Sequence, residues 1–403
     1  MNFRRLSKRL LSFITAVMCI SLSACGNNTT DPKGEQSSMP SSTAATTVAT
    51  ILPTAPTTRP TLPDNHENVP AALTVGDPDF TPGTYYKDSY PVLQFRQEGD
   101  QVVFGTWWWY LHRIVAPDDN GLSVDMALDM LIANHINEIY LDIGAMVPWE
   151  IEEEQGGLSE SDDANDLVSE LAVRGFVKKC SQYGIRVAAL GGSSEDAVVT
   201  WLDPQYEMIH MKNLVSKVEA YNANAAEDEK FYGVHLDVEP FTESQYGANR
   251  DLRNQWTADL IIAARQECDR IGVELGWDIW AWTAETDMVT NQYGEKVNIL
   301  DVYARECDTL CIMAYTNTGE GQYERGTDLE LAYAQKYDCT LIVATEHSKI
   351  SPASTTYYYS TMQHTLESCQ KLRQLIDAGT YHNMGGAIHH VASFWQYMTR
   401  DQA

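Results

Sequence analysis

From about residue 100 to the end of the chain, short β-branched runs alternate with amphipathic segments. Eight candidate strands follow one another, at Val102–Trp108, Glu138–Ile143, Arg186–Gly191, Gly233–Val238, Glu274–Trp282, Thr309–Thr316, Thr340–Glu346 and Gly385–Val391. Helical patterns lie between them, for example at Val124–Asn134, Asp166–Tyr183, Gln255–Ile271, Leu329–Tyr337 and Tyr358–Ala378. Strands that alternate with helices predict a parallel α/β sheet, and eight of them without a second break in composition predict one closed (β/α)8 barrel.

Within the predicted strands, apolar and polar side chains alternate. In the fourth strand, Leu236 and Val238 share one face, whereas His235, Asp237 and Glu239 share the other. Because strand side chains alternate with period two, each strand has an apolar face toward the helices and a more polar face toward the barrel interior. A purely structural interior would be mostly branched aliphatic. The ionisable groups near the strand ends therefore favour a functional site there.

The N-terminus has the pattern of an export signal. A cationic segment, MNFRRLSKRL, is followed by an apolar stretch from Leu10 to Leu22, which is too short to span a bilayer permanently. The stretch ends in Leu22-Ser23-Ala24-Cys25, which resembles the lipobox of bacterial lipoprotein signals. The resemblance implies removal of residues 1–24 and a lipid anchor on Cys25, which would hold the protein on the outer side of the cell membrane. The alternative is an ordinary cleaved signal with a chance cysteine.

Residues 25–75 differ from both their neighbours. They are rich in Ser, Thr, Pro and Ala and contain few large apolar side chains, so they predict a disordered linker. The third region, residues 76–403, is long enough for one large domain with a sizeable core.

The net charge narrows the range of partners. It is −28 for the whole chain, and removal of the four cations of the signal would leave −32. Such a surface repels phosphate backbones, so nucleic acid is not expected as a partner. Neutral or amino-sugar polymers remain compatible with it.

Six cysteines remain after Cys19 and Cys25 are set aside, and their spacing shows no short-range disulfide framework. The pair Cys307 and Cys311 lacks a second Cys or His pair at ligand spacing. We therefore expect buried, unpaired thiols, with no metal and no cofactor.

The strongest chemical signal is the segment YGVHLDVEP at residues 232–240. Asp237 and Glu239 lie on one face, two residues apart, where each carboxylate raises the proton affinity of the other. A glutamic acid that stays protonated near neutral pH is what protonation of a glycosidic oxygen requires. The structural alternative is a buried ion pair that serves only the fold.

This segment resembles the fourth strand of glycoside hydrolase family 18, the chitinases and endo-N-acetylglucosaminidases, whose motif is D-G-x-D-x-D-x-E. The chain has Gly233, Asp237 and Glu239 at matching positions, and Tyr232 and His235 where the motif has its first two aspartates. The family motifs S-x-G-G and M-x-Y have counterparts in residues 189–192 (ALGG) and 313–315 (MAY).

The resemblance implies a substrate-assisted mechanism without a cofactor. Glu239 would be the general acid, and Asp237 would orient a 2-acetamido group whose carbonyl attacks the anomeric carbon. Tyr315 would donate a hydrogen bond to the acetamido oxygen.

The same strand is also similar to that of retaining barrel glycosidases, in which an N-E-P segment carries the acid/base and a glutamate at the end of strand seven is the nucleophile. Glu239-Pro240 would match the acid/base and Glu346 the nucleophile, although Val238 replaces the asparagine. Two carboxylates about 5–5.5 Å apart would give double displacement with a covalent intermediate.

Several residues are candidates for contact with an oligo- or polysaccharide. Four tryptophans near strand ends could stack on sugar rings, namely Trp107, Trp280, Trp282 and Trp395. Other residues could line the same cleft, namely His235, Met313, Asp142 and Asp278. The structural alternative is that such tryptophans fill core space.

The predicted function is a surface-anchored glycosidase. A catalytically silent, glycan-binding barrel is the second hypothesis. A metal-dependent hydrolase is weaker, since the first strand has Gly105-Thr106-Trp107 where a His-x-His pair would be expected, although His389 and His390 lie in the eighth.

Overall fold

The fold is a closed barrel of eight parallel strands. The computed structural model describes residues 69–149 and 167–400. The barrel strands are β1 Phe104–Trp108, β2 Glu138–Asp142, β3 Arg186–Ser193, β4 Gly233–Val238, β5 Glu274–Trp280, β6 Thr309–Met313, β7 Thr340–Glu346 and β8 Met384–His389. They follow one another around the barrel in chain order, and β1 pairs in parallel with both β2 and β8. The predicted (β/α)8 fold and all eight of its strands are confirmed.

Helices surround the barrel. They are α1 Val124–Ala133, α2 Glu170–Gln182, α3 Ile209–Asn224, α4 Tyr246–Ile271, α5 Ile299–Glu306, α6 Gly319–Thr327, α7 Glu330–Tyr337, α8 Met362–Ala378 and α9 Val391–Thr399. The five helices predicted from the sequence are present. The pattern missed α3, α5, α6 and α9, and α4 begins nine residues earlier than its amphipathic pattern.

Side-chain caps decide where several helices begin. Ser123 accepts a hydrogen bond from Met126 N ahead of α1, and Thr361 accepts one from His364 N ahead of α8. These bonds satisfy backbone donors that have no partner inside the helix. The predicted start of the last long helix at residue 358 is therefore wrong, because the chain first makes a 3₁₀ turn at Tyr357–Tyr359 and is capped only at Thr361.

Five strand ends also differ from the predictions, and three of these differences bear on candidate site residues. β6 ends at Met313 rather than Thr316, because Ala314 N turns back to bond to Ile312 O and leaves the ladder. β5 ends at Trp280 rather than Trp282, and β8 ends at His389, one residue before the cap of α9. Tyr315 and Trp282 therefore lie on connections beyond the strands.

Connections carry further short elements. Met146–Val147 pairs in parallel with Val168–Ser169, and Met288–Thr290 forms an antiparallel pair with Lys296–Asn298. A single helical turn, Val199–Leu202, follows β3. In the part of the chain that the structure describes, no helix has the length and apolar character needed to cross a membrane.

The predicted export signal and most of the predicted linker lie outside the described residues. The last linker residues, from 69 to 75, are described, and they pack on α2. Leu73 N donates to Leu171 O at 3.0 Å, Arg174 donates to Pro70 O, and Val75 is buried.

The alternation along the strands separates two cores, as the sequence predicts. Leu236 and Val238 belong to the large core between the strands and the helices. A smaller core fills the barrel itself, and its buried members are Trp107, Tyr140, Ala188, Leu190, Cys311, Ile342, Ala344 and Ala387. The six cysteines from Cys180 onward are buried, and none of them forms a disulfide within the described residues. The polar faces of the strands therefore converge above the smaller core.

Replacement of one outward-facing strand residue tests this orientation. Leu236 is fully buried, so Leu236→Ala should lower the free energy of unfolding by about 2–5 kcal/mol. Leu252→Ala, on the exposed side of α4, is the control and should change it by no more than about 0.5 kcal/mol. Urea unfolding of the purified protein measures both. Equal effects would contradict the outward packing of β4.

Candidate active site

The carboxyl ends of the strands bring the predicted chemical residues to one mouth of the barrel. Asp237 lies near the end of β4 and Glu239 directly follows that strand, while Glu346 and His389 end β7 and β8. Tyr315 follows β6 by two residues. Parallel strands in a closed barrel direct all of these positions to the same face, which is where barrel enzymes place their active sites.

Asp237 and Glu239 form the centre of this mouth. Both side chains are partly exposed, and Asp237 Oδ1 has no hydrogen-bond partner among the described residues. Burial, together with the charge of Asp278, raises the pKa of Asp237 to about 7 despite the opposing effect of His389 and His235. Burial also raises the pKa of Glu239 well above its usual range, and the neighbouring Asp237 and Asp278 add to the effect. The structure therefore supports a carboxyl pair that keeps protons near neutral pH.

The backbone around Glu239 is fixed by the third strand. Glu239 N donates to Ser193 O at 3.0 Å, and Thr242 Oγ1 donates to Glu239 O at 2.7 Å. A side chain on Gly192 would place its Cβ only 1.9 Å from Asp237 O, so this close approach requires glycine. Gly192 near the end of β3 thus lets β4 approach closely, whereas a side chain on Gly191 would meet Leu214.

A buried layer lies beneath the pair. Trp107 donates its indole N–H to Asp278 Oδ2 at 3.0 Å, and His235 Nε2 bonds to Asp278 Oδ1 at 2.9 Å. The His235 ring stacks on Tyr140, with centroids 3.9 Å apart. Trp107 is 1% exposed, so it forms part of the barrel floor and presents no face to a sugar.

Glu346 is held on the opposite side of the mouth. His389 Nδ1 donates to Glu346 Oε2 at 2.7 Å, and Ser348 N donates to Oε1 at 2.5 Å. Burial acts to raise the pKa of Glu346, but His389 and the Ser348 donor stabilise the ionised form more strongly, and the pKa lies at about 2. Trp109 Nε1 donates to the other nitrogen of His389 at 3.1 Å, which fixes the imidazole between the two residues.

Tyr315 faces the acidic groups of the mouth. Burial raises the pKa of its phenol well above the usual range, and the charges of four carboxylates add to this effect, namely Glu346, Asp237, Asp278 and Glu239. Its carbonyl oxygen accepts a hydrogen bond from Arg325 at 2.8 Å, which holds the connection after β6 in place. Tyr315 therefore keeps its proton and can act as a hydrogen-bond donor.

An aromatic wall follows β5. Trp280 stacks on Phe241 with centroids 4.6 Å apart and meets Trp282 edge to face at 5.7 Å. Trp282 is 55% exposed, and the Arg325 guanidinium lies 5.6 Å from its ring centroid. Trp282 is the residue of this wall that offers an open aromatic face.

The remaining predicted contact residues lie in different surroundings. Trp395 is on α9, where it packs against Tyr86 and the large outer core. Asp142 ends β2, and its carboxylate accepts a hydrogen bond from Gly144 N at 2.9 Å. Met313 is nearly buried at the end of β6. Of these three, Trp395 packs in the outer core rather than at the mouth.

The sequence does not predict that Tyr140 stacks on His235 or that Trp109 donates to His389. Glycines on the inward face of the strands indicate where these rings lie. A Cβ on Gly276 would lie 2.4 Å from His235 Nδ1, and one on Gly105 would lie 2.9 Å from the Tyr140 hydroxyl. Glycine at inward positions of a strand thus marks where a large ring fills the barrel. Across the described ranges, 69–149 and 167–400, no group of three or more His, Cys, Asp or Glu side chains is arranged to hold a metal.

No family model matches the sequence, and no curated protein matches it. Solved structures give distant likenesses. The family 18 chitinase of Pseudoalteromonas aurantia is 12% identical over 74% of this chain and 98% of that one, with a TM-score of 0.44. The class V chitinase of Nicotiana tobaccum is 13% identical over 74% and 97%, also with a TM-score of 0.44.

The group IV chitinase of Ostrinia furnacalis is 14% identical over 53% of this chain, with a TM-score of 0.34, and the likeness spans about half (51%) of the length of that chitinase. The function proposed for this protein therefore rests on its own residues.

The raised pKa of Asp237 has a consequence for stability. The folded protein keeps a proton up to about pH 7, whereas an unfolded aspartate loses it near pH 4, so stability should fall as the pH rises between these values. Asp237→Asn should therefore raise the melting temperature by several degrees at pH 8 and much less at pH 4. Asp228→Asn, at a half-exposed position, is the matched control and should show no such pH dependence. A uniform effect of Asp237→Asn across this range would contradict the proton assignment.

Proposed function

We propose that this protein is a glycoside hydrolase that cleaves β-linked glycan containing N-acetylhexosamine, with Glu239 as its general acid. One observation carries the proposal. Two carboxyl groups stand two residues apart at the open mouth of a barrel, and the charges that act on Glu239 are all negative. A carboxyl group placed in this way keeps its proton at the pH where a glycosidic oxygen needs one.

In the proposed first step, Glu239 transfers its proton to the glycosidic oxygen as the bond to the anomeric carbon breaks. The leaving sugar departs as an alcohol, and Glu239 is left as a carboxylate. Water then attacks the anomeric carbon, the bond from that carbon to the acetamido oxygen breaks, and Glu239 accepts a proton from the water. The same group thus acts first as an acid and then as a base, so its pKa must lie near the working pH.

The 2-acetamido group of the substrate would supply the nucleophile. Its carbonyl oxygen bonds to the anomeric carbon, and the amide N–H needs an acceptor while this happens. Asp237 Oδ1 is buried and has no partner among the described residues, so rotation of this partly exposed side chain would offer a free carboxylate oxygen to the amide N–H. Tyr315, whose phenol keeps its proton, would donate to the acetamido oxygen. Trp282 and Trp280 would provide the aromatic surface for a neighbouring sugar, and Met313 an apolar contact.

Glu346 is a possible nucleophile in a double-displacement mechanism, because its carboxylate is ionised. However, it is 3% exposed, and both of its oxygens already accept hydrogen bonds. An attacking oxygen must give up such a bond and reach the anomeric carbon. We therefore propose that Glu346 holds His389 in place and that the substrate itself supplies the nucleophile.

We also propose that the enzyme works at the outer surface of the cell, held by a lipid on Cys25. The support comes from the sequence alone, from the lipobox-like segment 22–25 and the linker that follows it. A glycan substrate outside the cell and a tethered hydrolase are consistent with each other. A lipid-anchored enzyme needs a linker long enough to place the barrel above the membrane, and about fifty residues provide that reach.

Replacement of the acid tests the proposal directly. Glu239→Gln should lower kcat on chitooligosaccharides by roughly 10²–10⁴-fold, because the leaving alcohol then departs without a proton. The loss should be smaller on a nitrophenyl glycoside, whose leaving group needs no acid. Glu330→Gln is the matched control, since Glu330 is a buried glutamate whose pKa is raised to about 7 and which lies on α7 outside the barrel. An unchanged kcat in Glu239→Gln would refute the assignment.

Glu346→Gln separates the two mechanisms. In the acetamido-assisted route, the glutamine still accepts from Ser348 N, and turnover should fall by less than about tenfold. In double displacement, the covalent intermediate cannot form, and the loss should match that of Glu239→Gln. Steady-state kinetics of both variants on the same oligosaccharide distinguish the cases. Glycan binding without turnover in the parent protein would indicate a binding barrel instead.

A further inference from the structure

A third carboxylate lies below the Asp237–Glu239 pair, on a different strand. Asp278 belongs to β5, points into the barrel and is 1% exposed. Trp107 donates to one of its oxygens and His235 bonds to the other, at 3.0 and 2.9 Å. The thiol of Cys311 forms a further hydrogen bond to it. Asp278 is thus held from β1, β4 and β6 at once.

The donors around Asp278 suit a charged carboxylate. An indole N–H can only donate, so Trp107 requires an acceptor at Oδ2. The His235 ring is fixed by its stack on Tyr140 and by the space that Gly276 leaves open, so its bond to Oδ1 is set by packing. No Arg or Lys side chain among the described residues forms an ion pair with Asp278, whose one ion-pair partner is His235. The carboxylate is therefore held by the Trp107 indole and the His235 imidazole, without a lysine or arginine partner among the described residues.

The charge of Asp278 acts on both members of the pair above it. It raises the pKa of Asp237 and the pKa of Glu239, in each case together with burial. Other titratable groups face the same space from the remaining strands, namely Tyr140 of β2, His235 of β4, Cys311 and Tyr315 of β6, Glu346 of β7 and His389 of β8. Among these, His389 and His235 favour ionisation of Asp237 and therefore oppose Asp278.

We propose that Asp278 is a positioning residue for the general acid: it fixes a negative charge on the fifth strand beneath Asp237, so that the proton of the mouth stays on Glu239. Asp278 is 1% exposed and its two oxygens are occupied by Trp107 and His235, so it is not placed to contact the substrate. This inference rests on the proposed function, since it concerns the protonation of the proposed acid. It goes beyond that function because it assigns the control of protonation to Asp278 on β5, whereas the acid Glu239 follows β4.

The first test is the pH profile of kcat/KM on chitooligosaccharides. Activity should be lost as the pH rises through the pKa of Glu239. The decline of kcat/KM at high pH, the basic limb of the profile, therefore reports the loss of the Glu239 proton. Asp278→Asn keeps the shape of the side chain and removes the charge. The limb should then move to lower pH by roughly 1–2 units, the size expected for one like charge a few ångströms away in a protein interior. A merely structural role for Asp278 would lower kcat at every pH and leave the limb in place.

The second test needs no turnover. Because a raised pKa destabilises the folded state at high pH, Glu239→Gln should raise the melting temperature at pH 8. In the Asp278→Asn background this gain should be clearly smaller, because the charge that raises the pKa has been removed. Melting temperatures of the parent, both single variants and the double variant, at pH 5 and pH 8, complete the cycle.

Asp301→Asn is the matched control in both tests. Asp301 is 3% exposed and pairs with Arg305 and Lys336 on the outer side of the barrel, so the change removes an equally buried charge far from Glu239. It should lower stability without moving the basic limb or changing the gain from Glu239→Gln. If Asp278→Asn does not fold, Asp278→Ser, which is neutral and leaves space for water, takes its place in the cycle.

The outcomes separate the inference from the function it rests on. A smaller gain in the Asp278→Asn background supports the role of Asp278 even if the parent protein cleaves no glycan, in which case only the proposed function fails. The same gain at pH 8 in both backgrounds, or a basic limb that stays in place in an active Asp278→Asn variant, would overturn the inference.

Discussion

Three carboxylates share the interior of one barrel, and the cost of placing their negative charges there governs the site. Among the described residues no lysine or arginine forms an ion pair with Glu239, so protonation is the available way to relieve the repulsion. Burial and the charge of Asp278 both raise the pKa of Asp237 and the pKa of Glu239. A proton held at the mouth of the barrel is a consequence of this arrangement. The repulsion among the carboxylates is therefore also the source of the proton affinity that the proposed acid function requires.

The rest of the fold makes this arrangement possible in two ways. The outer core, which includes Leu236 and Val238, packs against the apolar face of β4, so the polar face of that strand is free for chemistry. Several other buried charges are paired directly, as in Arg174 with Glu229 and Arg253 with Glu243. The barrel mouth departs from this rule, and unpaired charge of this kind is typical of sites selected for function rather than stability. Glu346 is paired in the usual way, because its carboxylate accepts hydrogen bonds from His389 and Ser348.

The architecture could be predicted from periodicity because each strand has an apolar outer face and the strands alternate with helices. All eight strands were found in this way, and so was the inward direction of His235, Asp237 and Glu239. Helix α6 was not predicted, because its sequence GEGQYERGT has three glycines and a single large apolar side chain, Tyr323. The contact between Asp278 and His235 was also out of reach, since it joins two strands whose register only the closed barrel defines. Likewise, Trp395 falls just after a strand in the sequence, but the helix that starts there turns it toward the outer core.

The proposed reaction requires Glu239 to contact the glycosidic oxygen at the barrel mouth. The most direct measurement is a crystal structure of the Glu239→Gln variant with a chitooligosaccharide bound. We expect the side chain of residue 239 about 2.6–3.2 Å from a glycosidic oxygen, the acetamido N–H on Asp237, and a sugar ring against Trp282. A sugar bound away from the mouth, or residue 239 turned from the ligand toward the helices, would contradict the account.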